Sequence, residues 1–139
     1  MKYSQTIAYA IQATVLVADR RSNTPISSAQ IASQGEMPER FLLRVLRGLV
    51  EAKILKSMRG SDGGYTLVRP PGTITLLEII DAVSGLNSSG HRPRPVNRLP
   101  MDVQIAAAFD RATLAARQEI GKLTVADLIS PGRQMRHPV

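Results

Sequence analysis

Apolar residues Ile7, Ala10, Ile11, Val15 and Ala18 recur every three or four positions near the start of the chain, with Thr14 the one polar interruption. That spacing lines one stripe of an amphipathic helix over 4–18, closing near Ser22-Asn23-Thr24-Pro25. Ser27 followed by Gln30 has capping-box spacing and opens a short helix through Gln34, which Gly35 stops. Pro38 suits the first position of the next helix, where its missing N–H does no harm. This helix is expected to run to about Lys53. Its apolar stripe is Phe41, Leu42, Val45, Leu46, Leu49 and Val50, with Glu39, Arg40, Arg44, Arg47 and Glu51 outside it.

Further along, the pattern changes from a helical to a strand-like period. Residues 54–59 and 65–69 read as two short strands joined through Gly60-Ser61-Asp62-Gly63-Gly64, a hairpin with a glycine-rich tip. Pro70-Pro71-Gly72 ends the hairpin, and Thr75 with Glu78 forms a second capping box, opening a helix through about Val83. Residues 85–100 lack apolar periodicity and are rich in Gly, Pro, Ser and Arg, so they read as a loop or linker. An alanine-rich helix follows over about Met101–Lys122. Thr124-Val125-Ala126-Asp127 then caps a brief final helix around Leu128 and Ile129, and the tail 131–139 is expected to fray. The predicted class is mainly α with a small β-hairpin wing. A winged helix-turn-helix occupies 1–84, a flexible loop 85–100, and the long and final helices 101–130.

Composition narrows what such a fold does. At 139 residues, 43% hydrophobic and 21% charged, the chain fits one folded domain with an appended element. It has no cysteine, which excludes disulfides, thiolate metal sites and a cysteine nucleophile, and fits a reducing cytoplasm. Eighteen Lys and Arg against eleven Asp and Glu give +7, a bias toward polyanionic partners, with nucleic acid first. Residues 1–70 hold ten of the basic and five of the acidic residues. No apolar run approaches a membrane span, and the opening Met1-Lys2-Tyr3-Ser4 leads into a helical pattern rather than a signal peptide.

A short helix, a Gly-containing turn, a second helix and a hairpin together make a helix-turn-helix with a wing. Arg40, Arg44 and Arg47, spaced by four and three, project from one face of a helix that fits the major groove. The plainer reading is a helical pair with solvated arginines. No catalytic constellation, metal site or cofactor site stands out. His91 and His137 are the only histidines, and a lone loop histidine is more often solvated than a ligand. The glycine-rich tip lacks the Gly-Lys-Ser/Thr ending of a phosphate-binding loop. Glu78 and Asp81 share a helix face without a nucleophile and read as a solvated or capping pair, and Arg92-Pro93-Arg94-Pro95 reads as a solvated linker or as a contact to DNA phosphate or a partner.

Three segments, Met37–Leu42 with Val45, Leu46 and Leu49, then 54–65, then 75–83, resemble the bacterial Rrf-type regulators, the IscR/NsrR/CymR family. Arg-Gly-x-x-Gly-Gly-Tyr at 59–65 is the most specific piece. Lys2-Tyr3-Ser4 with Tyr9-Ala10 looks like that family's first helix, and 123–129 like the close of its dimerisation helix. The resemblance implies a homodimeric winged-helix transcription factor, with the helix from Pro38 in the major groove and the wing near Arg59–Gly64 reaching the minor groove. Several family members sense redox state, nitric oxide or iron through a cluster held by three cysteines before the long helix. Here the matching loop, 86–100, has no cysteine, and the position of a histidine ligand in some relatives is Ala106.

The expected function is therefore a homodimeric, sequence-specific DNA-binding regulator, a repressor on a pseudo-palindromic site, without a cysteine-ligated cluster. The candidate DNA-binding residues are Pro38, Glu39, Arg40, Arg44 and Arg47 on the recognition helix, and Arg59, Gly60 and Ser61 on the wing. Ser4, Gln5 and Ser27 are candidate phosphate anchors at helix starts. The alternative is a winged-helix adaptor whose basic face meets an acidic protein. The signal stays open between a small-molecule effector, a protein partner and none.

Overall fold

A computed structural model describes residues 3–87 and 100–129. Helix α1 (Gln5–Ala18) begins at Ser4, whose Oγ accepts the Ile7 N–H at 3.3 Å. Ile7, Ala10, Ala13 and Val17 bury one face, and the Thr14 hydroxyl is satisfied by donating to the Ala10 carbonyl at 2.7 Å. The helix stops at Ala18, sooner than the turn residues suggested. A tight 3-10 turn, Arg21–Asn23, follows, with Ser22 and Asn23 both at positive φ.

Helices α2 (Ser28–Gly35) and α3 (Glu39–Glu51) form the helix-turn-helix. The Ser27/Gln30 capping box is present in both directions. The stop of α2 differs from expectation: the left-handed residue is Glu36, at φ 52°, and Gly35 is the last helical residue. The Met37 N–H reaches back to the Ala32 carbonyl at 2.9 Å while Met37 itself is buried, and a Cβ on Gly35 would collide with the end of that side chain. Gly35 thus makes room for Met37, and burial of Met37 offsets the backbone cost at Glu36. Pro38 is the N-cap of α3 rather than its first helical residue, and α3 ends at Glu51, two residues short of Lys53, which itself sits at φ 61°. Leu42, Val45, Leu46 and Leu49 are fully buried, with Phe41 and Val50 packed against them.

Strands β1 (Leu55–Met58) and β2 (Gly64–Leu67) pair antiparallel, Leu55 opposite Leu67 and Met58 opposite Gly64; β1 is one residue shorter at each end than the sequence suggests, and β2 starts one residue earlier and ends two sooner. After a 3-10 turn at Pro71–Thr73, α4 (Leu76–Val83) starts at the expected Thr75/Glu78 capping box and ends at the expected residue. Helix α5 (Pro100–Gly121) matches the predicted long helix within a residue at each end. Residues 125–129 are helical, with Thr124 and Asp127 capping each other. Val125 is buried and its N–H bonds the Ile74 carbonyl, while the Leu76 N–H bonds Leu123, so the chain beyond α5 is stitched to the segment entering α4. Most of the expected loop 85–100, including His91 and the Arg-Pro run, and the tail 131–139 with His137 lie outside the described residues. None of the helices among the described residues is long and apolar enough to cross a membrane.

Candidate nucleic-acid interface

Burial of one stripe of α3 turns its opposite side outward. Arg40, Arg44 and Arg47 are all exposed there, and among the described residues none of the three is in an ion pair. Three uncompensated guanidinium groups within two turns of one helix make a concentrated positive surface suited to phosphate or a guanine edge. Glu39, in the first turn, favours the positive end of the helix dipole and lies at the limit of hydrogen-bond distance, 3.5 Å, from the Ser28 hydroxyl of α2. Tyr9 of α1 meets Phe41 edge-on, with ring centroids 5.5 Å apart. This contact fixes the start of α3 against α1.

The hairpin is tied directly to the helix pair. Tyr65 and Ile26, the residue before the α2 N-cap, exchange both backbone hydrogen bonds, at 2.8 and 3.2 Å. A Cβ on Gly64 would lie 2.5 Å from the Ile26 carbonyl oxygen, and its φ of 148° is one that other residues rarely adopt. Gly64, the glycine immediately before Tyr65 in the Arg-Gly-x-x-Gly-Gly-Tyr motif, is thus where wing and helix-turn-helix touch backbone to backbone. The Asn23 side-chain amide holds the other end of β2, donating to the Leu67 carbonyl and accepting its N–H. Beyond the Gly64 end, in the turn between the strands, Arg59, Gly60 and Ser61 are exposed at the tip, with the turn closed by Gly63 N–H to Gly60 carbonyl at 3.0 Å.

The candidate anchors at helix starts have local partners. Ser4 caps α1, the Gln5 amide donates to the Tyr9 hydroxyl at 2.8 Å, and Ser27 is engaged by Gln30. Arg40, Arg44 and Arg47 share one surface, and Arg59 and Ser61 share the hairpin tip. The sequence pattern passed over Leu43, an exposed apolar residue on α3, although it breaks the stripe. It also passed over the partners of the two α4 carboxylates: Glu78 pairs with Arg69, and Asp81 takes a two-pronged bond from Arg117 of α5 at 2.9 Å for each contact. Neither partner has a signature at short spacing. The Arg69 bond and the Thr75 N–H hold the Glu78 carboxyl below its ordinary value, and Asp81 raises Arg117.

Residues 3–131 match the family model described as Rrf2, iron-dependent transcriptional regulator. The chain is 27% identical over 139 residues to an Rrf2-like helix-turn-helix protein of Rhodobacter capsulatus, covering 93% of each. It is 31% identical over 85 residues to a helix-turn-helix transcriptional regulator of Mycobacterium tuberculosis, where the match takes in 61% of this chain but spans only about half, 53%, of that relative. The fold superposes on IscR of T. potens with a TM-score of 0.78 at 22% identity, over 100% of this chain and 93% of the other. With the helix-turn-helix, the bridged wing and a family match over nearly its whole length, the chain belongs to the Rrf2 family of transcriptional regulators, which are not enzymes.

Proposed function

We propose that the protein is a homodimeric, sequence-specific DNA-binding repressor that acts in the cytoplasm without a cysteine-ligated iron–sulfur cluster. The observation that carries the reading is the arginine face of α3, Arg40, Arg44 and Arg47, on a helix whose neighbouring wing is bridged to the same helix pair by Ile26 and Tyr65. In this reading α3 lies in the major groove, with Pro38 and Glu39 at its entry and the three arginines on bases and phosphates. Arg59, Gly60 and Ser61 meet the adjacent groove, and Ser4, Gln5 and Ser27 meet the backbone. Two copies place two such helices on the halves of a pseudo-palindrome.

The family description includes iron, and the donor set of this chain does not fit a thiolate-held cluster. It has no cysteine, and Ala106, exposed on α5, carries no ligand atom. Among the described residues no three His, Asp or Glu side chains come together as a metal site. The signal stays open between a small molecule, a protein partner and none.

Selection of duplexes from a random DNA pool tests the function and returns the site. Arg44→Ala is expected to keep the helical circular dichroism spectrum and to weaken binding to the selected duplex by roughly 5- to 150-fold, about 1–3 kcal/mol for a bidentate guanine contact. Failure to enrich any duplex, or unchanged affinity in a folded Arg44→Ala, would refute the reading.

A further inference from the structure

Leu43 is the one apolar side chain of α3 that the core leaves out: Leu42, Val45, Leu46 and Leu49 are at 0% exposure, Phe41 and Val50 are half-buried, and Leu43 is at 45%. A single exposed leucine is ordinary. Its neighbours give this one meaning, because the helix repeat sets it beside Arg40 three residues back and Arg47 four residues on, at the edge of the arginine face. It lies on the surface that α3 offers to DNA, so the inference rests on the reading that α3 enters the major groove.

Base edges in that groove are hydrogen-bonding groups with one exception, the 5-methyl of thymine. Set against an amino or carbonyl edge, a leucine side chain removes water without supplying a partner, which is unfavourable. Against the thymine methyl it withdraws apolar surface on both sides. Arginines beside it bind phosphate or guanine and cannot distinguish thymine from cytosine by a methyl group. We propose that Leu43 is a specificity-determining residue of this protein, selecting thymine at one position of each half-site by contact with its methyl group and disfavouring cytosine there by desolvating the unmatched amino group.

The full chain is tested on the duplex selected from the random pool, with each thymine replaced in turn by deoxyuridine, which removes only the methyl. At one thymine per half-site the replacement is expected to weaken binding by the parent about 3- to 5-fold, the factor for losing roughly one buried methyl group, and to leave Leu43→Ala unaffected. Other thymines should act equally on both proteins. Leu43 stands outside the buried core cluster and alanine is a better helix former, so Leu43→Ala keeps its fold. If every replacement changes parent and variant by the same factor, the assignment to Leu43 is overturned. Arg44→Ala separates the two levels: weakened binding by that variant with equal uracil effects sinks Leu43 alone, and unchanged binding sinks the placement of α3 as well.

Discussion

Glu78 joins three parts of the chain through one carboxylate. Its Oε2 accepts the Thr75 backbone N–H at 2.8 Å, closing the α4 capping box, and its Oε1 receives Arg69 from the exit of the hairpin. Arg69 also donates to the Thr73 carbonyl, which pins the connection between wing and α4. The hydrogen bond from Arg69, then that from Thr75, lowers the folded-state pKa of Glu78 from 4.5, so it contributes stability present above the unfolded value and lost as pH falls through the folded one. Both side chains are more than a third exposed, which keeps the pair near the modest worth of surface ion pairs, under about 1 kcal/mol. Glu78→Gln should preserve the box, as Gln30 does in α2, and remove the titration. Chemical unfolding from about pH 7 to about pH 3 should show the parent losing stability more steeply than Glu78→Gln below about pH 5. Parallel profiles would mean that the carboxylate contributes no proton-linked stability.

At the scale of elements, what could be seen in the sequence is what is settled over three or four residues. The three capping boxes, the α3 stripe and the paired strands follow from local spacing, and the structure repeats them. What stayed hidden depends on parts distant in sequence. Glu36 takes the left-handed conformation expected of a glycine because Met37 must be buried, and Asn23 serves as a partner for Leu67 across 44 positions. The arginine face could be listed from the sequence; its attachment to the wing could not, because the Ile26–Tyr65 bridge joins residues with no shared pattern. That bridge makes Gly64 the residue on which wing placement turns. Gly64→Ala brings a methyl against the Ile26 carbonyl and holds alanine at an unfavourable φ, at a cost of roughly 2 kcal/mol or more. Thermal unfolding should show a lowered Tm, and hydrogen exchange at Ile26 and Tyr65 should quicken relative to Leu49 in the core. An unshifted Tm with full protection at both amides would show that the close approach is unimportant.

In the whole molecule, α5 has two unlike ends. Its C-terminal end is held to the body by Arg117 on Asp81 and by the strand-like contacts of Leu123 and Val125. Toward the other end Met101, Ile105 and Phe109 stack one turn apart at 59%, 50% and 70% exposure, and Val103 and Leu114 are exposed on another face at 63% and 58%. Surface that apolar on more than one side of a helix needs cover from more than one direction, as a second helix and a neighbouring body would give. In the dimer proposed above a second copy would supply both, and its two-fold symmetry would match a palindromic site read by two α3 helices. Phe109→Glu places a charge at the most exposed of these positions without touching the core of the monomer. The expected outcome is a folded protein, unchanged in circular dichroism, that light scattering finds at the mass of one chain at micromolar concentration where the parent has the mass of two. Its affinity for a full palindromic duplex should fall toward that for a half-site, because the second helix no longer binds as part of the same molecule. A Phe109→Glu protein that remains dimeric, or a parent that is monomeric at that concentration, would remove α5 from the interface and require another way of bringing two recognition helices onto one site.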